Sequence, residues 1–205
     1  MTTKWTLSFS FFLGLALGGP RPATAASPPP PLPMEAWGYY GGFSQNSMSV
    51  HLTNSTTLDL SGQSWNLGAF SERALTQSVR LLVRAGYEGL QGEGNLNSNV
   101  CGGVCKVDIG ALAAEALAKY SFPKEKYTWW VGGGLGFLFP ISKSSNVLDT
   151  GKLSLTEKIL VGGGLDWHPT PKNFIPLQVE YALHPSNEIV TTKQLILRLG
   201  YGYVF

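Results

Sequence analysis

From Leu195 to Phe205 the chain alternates without a break. Leu195, Leu197, Leu199, Tyr201, Tyr203 and Phe205 share one parity, and Ile196, Arg198, Gly200, Gly202 and Val204 share the other. Successive side chains of a strand point to opposite faces. The segment therefore predicts a strand with one wholly apolar face that ends in aromatics. The same period runs through residues 127–140, with Trp129, Val131, Gly133, Leu135, Phe137 and Phe139 on one face. It returns in 155–168 (Ile159, Val161, Gly163, Leu165, Trp167) and in 174–184 (Ile175, Leu177, Val179, Tyr181, Leu183). Weaker alternation marks 36–45, 64–73, 77–91 and 107–121, and with 192–205 the count reaches eight strands. Residues 53–62 are either an extra strand or part of the first loop. Residues 111–119 have the propensity of a helix; a strand is assigned because a helix there would break the alternation of the connections.

The connections alternate in length. Residues 74–76, 122–126 and 169–173 are short; 46–63, 92–106 and 141–154 are long; 185–191 is intermediate. Short turns at one rim and longer loops at the other are the habit of membrane barrels. An even number of strands puts both ends on the rim of short turns. A soluble calycin-like barrel would turn its apolar residues inward and its charges outward. The expectation is an all-β fold, an eight-stranded antiparallel up-and-down transmembrane β-barrel over residues 36–205.

The N-terminus adds an address. Lys4 precedes an apolar run from Leu7 to Leu17, and Ala23-Thr24-Ala25 has the small residues of a cleavage site. The run is too short for a membrane helix. Residues 1–26 are expected to be a signal peptide and 27–35 a Pro-rich periplasmic tether. Removing the signal removes Lys4 and Arg21 from fifteen basic residues, which leaves thirteen against thirteen acids. Zero net charge argues against a nucleic-acid partner, which needs a basic face.

The strand phases place Glu72, Arg80, Arg84, Glu88, Glu115, Lys119, Lys158, Asp166, Glu180 and Arg198 inside. Acids and bases are equal in number. An eight-stranded barrel is just wide enough to be filled by its own side chains, and buried charges are costly unless paired. A balanced interior fits a plugged barrel better than an ion-selective pore. Glu180 and Arg198 fall on adjacent strands and are expected to pair, with a network that includes Arg80, Arg84, Glu115 and Lys119.

Val131-Gly-Gly-Gly-Leu135 and Val161-Gly-Gly-Gly-Leu165 are near copies on neighbouring strands and should lie side by side. No Lys-Ser/Thr follows either, so a phosphate loop is excluded. They predict space for bulky inward neighbours such as Tyr40 or Phe70, or a lipid-facing dent at Gly133 and Gly163. Cys101-Gly-Gly-Val-Cys105 predicts a disulfide in an oxidising compartment. No metal site or cofactor is expected. Asn54-Ser-Thr56 matches a glycosylation acceptor by chance.

The signal segment, the Gly-Tyr-Tyr-Gly-Gly run at 38–42, the loop alternation and the Phe205 ending together resemble the small OmpA-, OmpX- and OmpW-like outer-membrane β-barrels. The resemblance implies a bacterial outer-membrane location with both termini periplasmic. It also implies contact with outer-membrane lipids and lipopolysaccharide. Tyr201, Tyr203 and Phe205 then form the C-terminal signal read by the barrel-assembly machinery. Such barrels serve several roles, so the fold does not select one; the expected role is structural or surface-interacting. A narrow channel for small hydrophobic solutes is an alternative. His184-Pro-Ser186-Asn187 resembles the site of outer-membrane lipid A 3-O-deacylases, which implies Ser186 as nucleophile and His184 as its base. In that family a Glu about a dozen residues on orients the His; here that position is Arg198.

Overall fold

The computed structural model describes residues 35–51, 57–95, 101, 103–146, 156–187 and 190–205; the side chains of residues 186 and 187 are outside this set. The expected signal peptide, residues 27–34 of the tether and the Asn54-Ser-Thr56 triplet all lie outside the described residues.

Eight strands run in chain order: β1 (Glu35–His51), β2 (Thr57–Ala74), β3 (Val79–Asn95), β4 (Val104–Lys124), β5 (Tyr127–Ser145), β6 (Thr156–Thr170), β7 (Asn173–Asn187) and β8 (Val190–Val204). Every neighbour is antiparallel, and β1 pairs with β8 to close the barrel. Closure removes the open edges that would otherwise invite other chains. Residues 111–119 lie within β4 as strand. Here tertiary pairing overrides helix propensity, since Ala111 to Lys119 are held by β3 and β5 on both sides. Both ends of the barrel lie on one rim: Phe205 N–H donates to the Glu35 carbonyl at 3.3 Å. The tight β2–β3, β4–β5 and β6–β7 turns share that rim.

The strands are longer than their apolar faces. β1 continues to His51, β3 to Asn95 and β5 to Ser145, while β2 starts at Thr57 and β4 at Val104. Of residues 53–62, 53–56 lie outside the described residues, and 57–62 are neither an extra strand nor loop but the upper third of β2. β5 passes Pro140 through a bulge: Ala111 pairs with Pro140 and Gly110 with Ser142, so Ile141 is the extra residue. A bulge is where a strand tolerates a residue without an N–H.

The reason for the extra length is an inversion of polarity. In the lower barrel the outward residues are apolar, such as Trp37, Tyr39 and Phe43 on β1 and Trp65 and Leu67 on β2. Higher up, the exposed positions of the same strands are Gln45, Ser47, Asp59, Ser61 and Gln63. There the inward residues become Met48, Val50, Leu58, Leu60, Val107 and Ile109, which form one buried cluster. Below, the wall is apolar outside and encloses charge. Above, it is polar outside and encloses an apolar core. The Cys101–Cys105 disulfide lies at the tip of this upper part, with Cys105 buried and Cys101 packed on the cluster. Gly103 inside the ring has φ +126°, a conformation that L side chains rarely adopt.

Candidate functional site

The interior is the chemically distinctive part of the molecule, and it is layered. All ten inward charges are buried. They divide into two groups. Nearest the rim of the tight turns, Glu72 accepts from Arg80 at 3.0 Å and from Lys119 at 2.7 Å, and Lys119 reaches Asp166 at 3.0 Å. Above it, Arg84 pairs with Glu115 at 2.7 Å and with Glu180 at 2.8 Å. Lys158 bridges Glu88 at 2.7 Å and Glu115 at 2.5 Å. Arg198 joins Glu180, Glu88 and Glu115. Each group contains as many acids as bases.

A single network through Arg80, Arg84, Glu115 and Lys119 was the expectation from sequence, and the structure separates it. Arg80 pairs with Lys119 in register and Arg84 with Glu115, but the fully buried Leu82–Leu117 pair stands between them. Strand phase shows which residues turn inward, yet not whether an apolar layer interrupts them.

Glycines make room for the large inward side chains. A Cβ at Gly164 would come within 2.8 Å of Trp130 Nε1, one at Gly68 within 2.7 Å of the Tyr40 hydroxyl, and one at Gly38 within 2.7 Å of Phe70. The two Gly triplets do lie side by side, with Gly132 opposite Gly162. The bulk beside them is Trp130 and Glu180 rather than Tyr40 or Phe70, which rest against Gly68 and Gly38. Gly133 and Gly163 are opposite Val161 and Val131 across the β5–β6 pair. Trp130 carries the Lys119 ammonium over its ring at 4.7 Å, and Tyr40 lies under both Arg84 and Arg198.

A tier of uncharged polar groups lies above the second charged group. His184 Nε2 is 2.8 Å from Gln194 Oε1, and Gln194 donates to Asn46 Oδ1 at 3.1 Å. Asn46 donates to Ser64 Oγ at 3.0 Å and to the Gln91 carbonyl at 3.1 Å. Ser64 Oγ also donates to the Gly89 carbonyl at 2.5 Å. His184 thus faces the lumen and is held by Gln194. Ser186 is in β7, with its side chain outside the described residues. Arg198 is committed to the second charged group. Reading by charge alone passed over Asn46, Ser64, Gln194 and Trp130. The same period-two parity marks each of them as inward.

No protein-family profile and no curated protein sequence matches the chain. Solved structures are similar to it, two of them as follows. The outer membrane protein OprG from Pseudomonas aeruginosa is 14% identical, over 84% of this chain and 96% of that one, with a TM-score of 0.55. Neisserial surface protein A (NspA) is 12% identical, over 83% of this chain and 99% of that one, with a TM-score of 0.50. The closed, all-antiparallel eight-stranded wall is thus shared with known proteins: the chain has the fold of the small eight-stranded outer-membrane β-barrels.

Proposed function

We propose that this chain is an integral outer-membrane protein with a structural or surface-interacting role, its lumen plugged by balanced ion pairs. The observation that carries this reading is the inversion of polarity along the wall. A closed belt of exposed Leu, Val, Phe, Trp and Tyr is unstable in water, and buried charges behind it need no solvent because they are paired. Outer-membrane lipids, including lipopolysaccharide, cover the belt. Both termini are periplasmic, and Tyr201, Tyr203 and Phe205 engage the assembly machinery during insertion. The polar upper wall and the loops above it present the surface to the outside.

The test is gel migration of protein from isolated outer membranes, heated against unheated. The expected result is a heat-dependent shift in that fraction. Unshifted protein in the soluble periplasmic fraction would overturn the lipid-facing assignment. The esterase alternative is separated by Ser186→Ala: lipid A of unchanged acylation in cells carrying either form leaves the non-enzymatic role standing.

A further inference from the structure

One stretch of the apolar belt is hollow. On the outward face where β4, β5 and β6 run side by side, Ala118 stands opposite Gly133, and Gly163 opposite Val131. Large exposed side chains surround them, among them Val131, Leu135, Ile159 and Val161. Gly162 and Gly164 make room for Glu180 and Trp130 inside the barrel. Gly133 serves no such neighbour. Among the described residues, a Cβ there would meet only the Leu160 carbonyl at 3.2 Å and the edge of Val161 at 3.8 Å. Its missing side chain leaves a shallow depression in the outer surface.

A second feature lies directly below, toward the rim of the tight turns. Trp129 stands opposite Leu165, and then Tyr127 opposite Trp167. Trp129, Tyr127 and Trp167 are exposed. Aromatics with one apolar and one polar end belong at the membrane–water boundary. Beyond them come the β4–β5 and β6–β7 turns, with Lys124, Lys126 and Lys172 all exposed. The His168 N–H donates to the Lys126 carbonyl at 2.8 Å, which holds the first turn against β6. None of the three ammonium groups makes an ion pair or hydrogen bond among the described residues. Glu125 is the one acid in residues 123–127 and 169–173, so these turns are net positive. Across the rim Arg73 is already paired, with Glu35 at 3.5 Å. The unpaired bases of this rim are therefore gathered below the depression.

The spacing fits one kind of ligand. From Tyr127 to Gly133 the strand rises roughly 20 Å, at about 3.3 Å per residue. At a tilt of about 45° that is roughly 14 Å of height, close to half of a hydrocarbon core of about 30 Å. A phosphate held by the lysines puts the end of its acyl chain at Gly133. Lysine binds phosphate as a point charge, and basic residues at a membrane surface favour anionic lipids. We propose that this seam binds an anionic glycerophospholipid of the periplasmic leaflet. Its phosphate lies on Lys124, Lys126 and Lys172, and one acyl chain ends in the depression at Ala118, Gly133 and Gly163. The proposal rests on the outer-membrane placement above and adds to it a lipid selected by charge at one place on the rim.

The experiment uses the folded barrel in detergent micelles, with native mass spectrometry as the readout. The probes are phosphatidylglycerol, phosphatidylcholine with the same acyl chains, and glycerophosphate. Wild type is expected to retain phosphatidylglycerol in preference to phosphatidylcholine. Lys124→Gln/Lys126→Gln/Lys172→Gln should retain phosphatidylglycerol roughly tenfold less, as the loss of one or two lysine–phosphate contacts implies, with phosphatidylcholine unchanged. Ala118→Leu, which fills the depression from an exposed position, should weaken both lipids. The heated-against-unheated gel shift verifies that each variant is folded. Equal retention of phosphatidylglycerol by wild type and the lysine variant would overturn the proposal. So would an Ala118→Leu barrel that holds both lipids like wild type. Glycerophosphate held as strongly as phosphatidylglycerol would make this a site for soluble anions instead. A protein dimer abolished by Ala118→Leu would give the depression to a second copy of the chain, against the proposal. A barrel that shows its gel shift in outer membranes but fails here loses the lipid assignment alone.

Discussion

Arg84 and Glu115 face each other across β3 and β4 in direct register, 2.7 Å apart, and each side chain is 1% exposed. Arg84 also makes two parallel bonds to Glu180 from the opposite wall, both at 2.8 Å. One guanidinium thus ties β3 to β4 and, across the lumen, to β7. Arg is suited to this because its planar fork meets a carboxylate with two parallel bonds.

Arg84→Ala should therefore destabilise the folded barrel by about 3–5 kcal/mol, because Glu115 and Glu180 are left with less compensating charge. Replacing Arg84 and Glu180 together with leucines should cost less than Arg84→Ala alone, since the second change removes an unpaired acid. Urea titration followed by the gel shift measures both. A double variant weaker than the single one would show that the pair contributes more than its charge balance.

Gly164 and Trp130 are matched in shape. A Cβ at Gly164 would press on the indole within 2.9 Å of Cε2, and the indole carries the Lys119 ammonium on its face. Gly164→Val is expected to cost about 1–3 kcal/mol by overpacking and to alter the environment of Trp130. The fluorescence difference between Gly164→Val and a Gly164→Val/Trp130→Phe variant isolates that indole. Unchanged emission together with unchanged stability would contradict the fit.

The Cys101–Cys105 ring is small and caps the tip between β3 and β4. Chain-entropy arguments give such a short loop about 2 kcal/mol, and the effect should stay local. Cys101→Ser/Cys105→Ser should become open to protease near the β3–β4 tip while the rest of the barrel keeps its gel shift. Loss of the gel shift would mean that the ring supports the whole fold.

On the proposed reading, a lumen plugged at two charged levels does not conduct. Planar bilayers holding the wild-type barrel are expected to show no single-channel steps. Replacing Arg80 and Glu72 by alanine should leave them silent, because the Leu82–Leu117 layer and the second charged group still close the path. Discrete conductance steps from wild type would revive the channel alternative.

Much of this molecule is legible along the chain. Period-two alternation is a property of the strand itself, so parity alone separates Leu195, Leu197 and Leu199 from Ile196 and Arg198, and places the interior charges from Glu72 to Arg198 on the inward face. An even number of strands lets β1 and β8 meet antiparallel, and their pairing closes the barrel. Strand ends were less legible. An outward face that turns from Phe43 to Gln45 looks like the end of a strand, while it is only the end of the apolar part of that face.

What tertiary structure alone decided is everything that depends on height and on contact across the lumen. Parity cannot tell that Leu82 and Leu117 meet at one level and part the charges into two neutral groups. Nor can it tell that Asn46 on β1 reaches past Ser64 to a β3 carbonyl where the β2–β3 pairing is interrupted. The reason is geometric. Alternation is local, repeating every two residues along one strand. Height is set by the stagger of eight strands around a closed wall, and only that stagger brings residues distant in sequence to the same layer.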